Sequence, residues 1–119
     1  MINKMPQDGA NEYIAAVLKT YLQLPETPPK PNLNDRKTAE SLLTRGVPLA
    51  TVESALLLAT VRRLGRPSDS PPLSPVRSLA YFLPVVQELL DSPIADDYLG
   101  YLRMKVRSLT ARRAITKCG

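Results

Sequence analysis

Apolar residues along this chain recur three and four positions apart in five stretches, and proline clusters separate several of them. That spacing places an apolar face on each of a series of helices. The first predicted helix starts near Asp8, which can cap it, and ends by Leu24. Tyr13, Val17 and Leu18, then Tyr21 and Leu22, form its face. The segment Pro25 to Leu33 reads as an extended linker. The second helix opens at Asn34 or Asp35, with Asn34 as its cap, runs through Ala39, Leu42 and Leu43, and stops at Gly46. The third begins at Pro48 and carries Leu49, Val52, Ala55 to Ala59 and Val61 up to Gly65. Its centre, Ala55 to Ala59, is apolar on every side, which predicts the buried middle of a domain.

A fourth helix is expected from Ser74 as cap and Pro75 at its first position, with Val76, Leu79, Ala80, Leu83, Val86, Leu89 and Leu90 on its apolar face. Pro84 lies inside that pattern and predicts a kink or a split. Ser92 and Pro93 repeat the cap-then-proline signature and predict a fifth helix, with Asp96 and Asp97 in its first turn. Ile94, Tyr98, Leu102, Val106 and Leu109 mark its face, with fraying expected beyond Leu109. The expectation is an all-α, compact single-domain bundle of four to five helices with proline-rich loops. Residues 1–33 form an N-terminal helix and linker, residues 34–110 the helical core, and residues 111–119 a basic, frayed tail. Leu56, Leu57, Val61, Leu79, Phe82, Leu83, Val86 and Leu102 are the expected buried residues.

Composition supports this class. The 119 residues are 44% hydrophobic but only 5% aromatic, so Leu, Val and Ala must build the core. That composition favours helix-on-helix packing over sheets rich in aromatic and β-branched residues. Histidine is absent and Cys118 is the single cysteine. An intrachain disulfide, Cys/His zinc sites and Ser-His-Asp or Cys-His catalysis are thereby excluded. No apolar run approaches the roughly 20 residues that span a bilayer. The stretch Met1 to Gly9 lacks the apolar core of a secretory signal. The reading is a soluble, cytoplasmic protein with no membrane partner and no cofactor.

Charge changes the picture more than composition does. The formal net charge is +5. Ten of the sixteen basic residues precede Tyr98 and face all eleven acidic ones, so the body is nearly neutral. From Tyr98 onward stand Arg103, Lys105, Arg107, Arg112, Arg113 and Lys117, with no acid after Asp97. A helix that buries one stripe and projects cations from another is a common phosphate-binding surface. Alternatives are an acidic protein partner, or cations that merely solvate a helix end and favour its dipole. A second basic group, Arg62, Arg63 and Arg66 with Arg77 across the proline loop, either extends that surface or decorates a loop.

The turn Gly46 to Pro48 also has the length of a helix-turn-helix turn, which would direct Thr51, Ser54 and Arg62 to a groove. A plain helical hairpin is the preferred reading, because Ala55 to Ala59 is too apolar for a groove-facing helix. Catalysis finds no support. Adjacent Asp96 and Asp97 diverge by about 100° on a helix, there is no glycine-rich phosphate loop, and Cys118 lacks a histidine partner.

The stretches RGVPLATVESALLLATVRRLGRP (Arg45 to Pro67), PLSPVRSLAYFLPVVQELLDSPI (Pro72 to Ile94) and YLGYLRMKV (Tyr98 to Val106) together resemble a helical module of bacterial mobile-element and plasmid replication-initiation-type proteins. A looser likeness is to the DnaD-type helical domain of primosome proteins, with VESALLLA and RSLAYFLPVV in corresponding places. The resemblance spans about half the chain. It implies DNA association in replication or transposition, with Arg77, Tyr81 and Tyr101 as shared features. Beside a plain structural subunit of a homo-oligomer, two functional expectations follow. One is a non-enzymatic DNA-binding accessory protein. The other is a protein-interaction adaptor that docks onto a larger replication or transposition enzyme through an exposed patch drawn from Tyr13, Tyr21, Tyr98 and Tyr101.

Overall fold

Helix boundaries in this chain follow from which backbone N–H groups find acceptors. A computed structural model describes residues 4–67, 69–71, 73–95 and 97–118, with side chains over 9–111 of those. Among the described residues the fold is all-α, with helices α1 (Lys4–Leu22), α2 (Leu33–Thr44), α3 (Leu49–Leu64), α4 (Leu83–Asp91) and α5 (Tyr98–Cys118), and a 3₁₀ turn, η1 (Leu79–Phe82), leading into α4. Helix α3 is the hub and packs against α1, α4, η1 and α5, while α2 lies against α1 and η1.

The start of α2 is set by a reciprocal capping box. Asn32 Oδ1 accepts from the Asp35 N–H at 2.8 Å, and Asp35 Oδ2 accepts from the Asn32 N–H at 3.0 Å. This box needs an acid three residues after the cap, so Asn32 caps the helix in place of Asn34. At the other end Gly46 adopts φ 77°. Its N–H donates to the Leu43 carbonyl and the Val47 N–H to the Leu42 carbonyl, which is a Schellman closure with Val47 buried beneath it. Tyr13 Oη donates to the Val47 carbonyl at 2.8 Å and ties α1 to this turn. Helix α1 begins at Lys4, a turn earlier than Asp8 predicts, and belongs to the core through Ile14, Val17, Leu18 and Tyr21.

Two expected helix starts are displaced. Residues 73–78 do not continue from a Ser74 cap into a helix. The Val76 N–H instead donates to the Glu26 carbonyl at 3.0 Å and the Leu79 N–H to Asp35 Oδ1 at 2.9 Å. Tertiary acceptors thus hold this segment extended until η1. Pro84 then starts α4, sitting in its first turn where its missing N–H costs nothing. Likewise Ser92 closes α4 by donating its N–H to the Glu88 carbonyl, and α5 opens only at Tyr98. Asp97 precedes the helix, and Asp96 lies outside the described residues. The backbone of α5 remains helical to Cys118, beyond the fraying expected after Leu109.

Burial agrees with the apolar pattern at the centre. Ala55, Leu56, Leu57, Leu79, Phe82, Val86 and Leu102 are buried, while Val61 and Leu83 are half-buried at its margin. Tyr21 stacks edge-on to Phe82 with ring centroids 6.0 Å apart. Its hydroxyl is buried without a hydrogen-bond partner. Burial, with the negative charge of Asp35 adding to it, pushes the Tyr21 pKa up to about 12.

Two variants test this packing. Leu57→Asp puts a carboxylate into the α3 centre and abolishes the cooperative transition in circular dichroism. Tyr21 is held neutral in the folded state. Its stabilising difference is therefore complete below pH 10, where the unfolded tyrosine is also neutral, and is lost as pH rises toward 12. Tyr21→Phe removes the unpartnered hydroxyl, so urea titration at pH 7 should show no loss or a gain of about 1 kcal/mol. The same variant should show a flatter stability profile between pH 10 and 12.

Candidate nucleic-acid interface

The arginines of the last turn of α3 look alike in sequence and are used very differently. Arg63 is 9% exposed. Its Nε donates to Glu26 Oε1 at 2.6 Å, its Nη1 to Tyr81 Oη at 3.3 Å, and its Nη2 to the Ser74 carbonyl. The guanidinium also stands 5.6 Å from the Tyr81 ring centroid. Burial pulls the Arg63 pKa down, but the hydrogen bonds to Glu26 and Tyr81 more than offset it and leave it raised. This side chain is therefore a clamp between the α1–α2 and α3–η1 connectors. It is removed from the phosphate surface predicted for it.

Arg62 is exposed and chelated by Glu88, with Nη1 to Oε1 at 2.8 Å and Nη2 to Oε2 at 2.5 Å. That hydrogen bonding raises the Arg62 pKa and lowers that of Glu88. Arg66 Nη1 donates to the Pro71 carbonyl at 2.9 Å. Arg62, Arg63 and Arg66 do share one shallow groove, with Leu73 and Tyr81, while Arg77 is exposed on the extended segment before η1. The second basic group is thus assembled in part: Arg62 and Arg63 are ion-paired, while Arg66 meets only a carbonyl and Arg77 has no ion pair among the described residues.

The basic helix α5 packs against α3. Arg103 Nη2 lies 3.5 Å from Glu53 Oε1 in the first half of α3, while Tyr98 borders the same groove as Arg62 in its last turn. Leu102 and Leu109 are buried, and Leu99 and Val106 are half-buried on the same stripe. At about 100° per residue, Arg103 and Arg107 flank that stripe on one side, and Lys105 on the other. Arg103 and Arg107 are both exposed and line an open groove with Thr20, Gln23, Leu24 and Glu53. Arg107 has no ion pair among the described residues. Arg112, Arg113 and Lys117 lie within α5, but their side chains fall outside the described residues.

The residues that a helix-turn-helix would turn toward a groove are not free to enter one. Ser54 is buried, Thr51 is half-buried, Arg62 is held by Glu88, and α3 is enclosed by its neighbours. Of the tyrosines expected at a patch, Tyr21 is fully buried and Tyr13 is half-buried and bonded to Val47. Tyr98 and Tyr101 are exposed and stacked, with centroids 5.3 Å apart and planes at 28°. Sequence reasoning passed over Met104, which is 56% exposed beside them. Its position three residues after Tyr101, off the buried stripe, was the available signal.

Among the described residues no three of His, Cys, Asp and Glu gather where a metal would bind, and no helix is long and apolar enough to cross a membrane. No family model, curated protein or solved structure matches the chain. The described residues form an all-α bundle centred on α3.

The difference between neighbouring arginines is testable by urea denaturation. Arg63→Ala strips Glu26 and the Ser74 carbonyl of their buried donor and should cost about 3 kcal/mol. Arg63→Lys should fail to restore it, because an ammonium cannot reach three acceptors in a planar fork. Arg62→Ala, at an exposed pair, should leave the midpoint unchanged.

Proposed function

We propose that this protein is a non-enzymatic DNA-binding accessory protein whose α5 helix contacts the phosphate backbone. The observation that carries the reading is the unneutralised charge of that helix. Six cations and no acid follow Asp97. Of the described side chains, Arg107 and Lys105 have no ion pair, and Arg103 has only a long contact to Glu53. Phosphate recognition needs such accessible donors on a rigid support, and a helix packed along α3 supplies that support. Arg103 and Arg107 stand one turn apart along one flank, a spacing suited to successive phosphates. By the resemblance of residues 45–107, the setting is replication or transposition of a mobile genetic element.

Affinity of this kind comes from counterion release. It falls with salt at a log–log slope of about −0.9 per phosphate contact on duplex DNA. Fluorescence anisotropy with labelled single- and double-stranded DNA at several salt concentrations measures that slope. Arg103→Ala with Arg107→Ala should make it shallower by about 2 and weaken binding regardless of base sequence. Absence of binding at low salt would discard the reading. The function would then lie in protein contacts, including docking onto a larger replication or transposition enzyme.

A further inference from the structure

The flank of α5 away from Arg103 and Arg107 carries three exposed large apolar side chains. Tyr98, Tyr101 and Met104 are 38%, 45% and 56% exposed. The two tyrosine rings lie against one another as a preformed plate. Three large side chains at i, i+3 and i+6 form a continuous stripe on a helix. Large exposed apolar groups gathered in this way mark a contact surface.

Charges at the two ends of the stripe indicate what covers it. Asp97 stands exposed immediately before α5, and Lys105 follows Met104 on the same flank. Neither forms an ion pair among the described residues. Two copies of this helix packed antiparallel about a two-fold axis at Tyr101 place Tyr101 against Tyr101. Tyr98 then faces Met104, and Asp97 faces Lys105. Every charge meets its opposite and every apolar group meets an apolar group, which is the self-complementarity an isologous interface requires. Parallel pairing would set Lys105 against Lys105 and Asp97 against Asp97.

We propose that the Tyr98, Tyr101 and Met104 stripe is a self-association surface, occupied by the same stripe of a second copy of this chain in antiparallel register. The stripe is small beside the roughly 800 Å² per partner of a standard interface, so the dimer is weak and depends on concentration. The Arg103 and Arg107 flank stays outside the contact. The inference does not rest on DNA binding, and its test contains no nucleic acid.

Sedimentation equilibrium of the full chain from micromolar to millimolar concentration reads the mass directly. A monomer–dimer equilibrium is expected within that range. Tyr101→Glu, at an exposed position, should remain helical by circular dichroism and sediment as a monomer. Asp97→Lys and Lys105→Asp alone each set like charges against one another twice per dimer and should weaken association about tenfold. The double variant Asp97→Lys, Lys105→Asp restores both opposite pairs and should recover the original constant. A monomer mass at every concentration overturns the proposal. So does a dimer that Tyr101→Glu leaves intact, or a double variant no tighter than the single reversals.

Discussion

Asp35 joins segments 44 residues apart with one carboxylate. One oxygen accepts from the backbone of Asn32 and so begins α2. The other accepts from the backbone of Leu79 and so begins η1. The group is completely buried, and a buried charge persists only when its lone pairs are taken. Here they are taken by peptide N–H groups that would otherwise be orphaned at two helix starts. The side chain is a capping device turned into a tertiary tie.

Arg63 and Glu26 complete the tie from the other side of the same region. Glu26 takes the left-handed φ of 66°, uncommon for a residue with a side chain. Its carbonyl accepts from Val76 and its carboxylate from Arg63, which also reaches the Ser74 carbonyl. The two proline-rich connectors, poor in their own N–H donors, are thus pinned to each other and to α3. That pinning orients η1 and α4 on one side of α3 and leaves α5 to cover another.

Much of this was legible in the chain. The apolar centre of α3, the Gly46 stop, the α5 stripe through Leu102 and Leu109, and the charge asymmetry after Asp97 all read from local pattern. Such features depend on residues three or four apart, and the helix itself converts that spacing into a face. The helix starts near Ser74 and Ser92 read less well. Ser74 followed by Pro75 has the local chemistry of a cap, but the N–H groups of Val76 and Leu79 found stronger partners elsewhere. Pro84, ambiguous between kink and start, became a start once the preceding segment was held extended.

The candidate surface divides along the same line. Sequence alone determined that this chain builds an aliphatic all-α core and carries its excess charge at one end, because composition and periodicity are properties of the chain itself. Only the tertiary structure decided which arginines remain available. Arg62, Arg63 and Arg66 are nearly equivalent in sequence, yet Glu88, Glu26, Ser74 and Pro71 engage them to different degrees. Those partners lie between 5 and 37 residues away. Tyr21 and Tyr101, both on helical faces, part in the same manner, one sealed against Phe82 and the other left to solvent. Acceptors and packing partners distant along the chain make these choices, and no local pattern records which of them will meet.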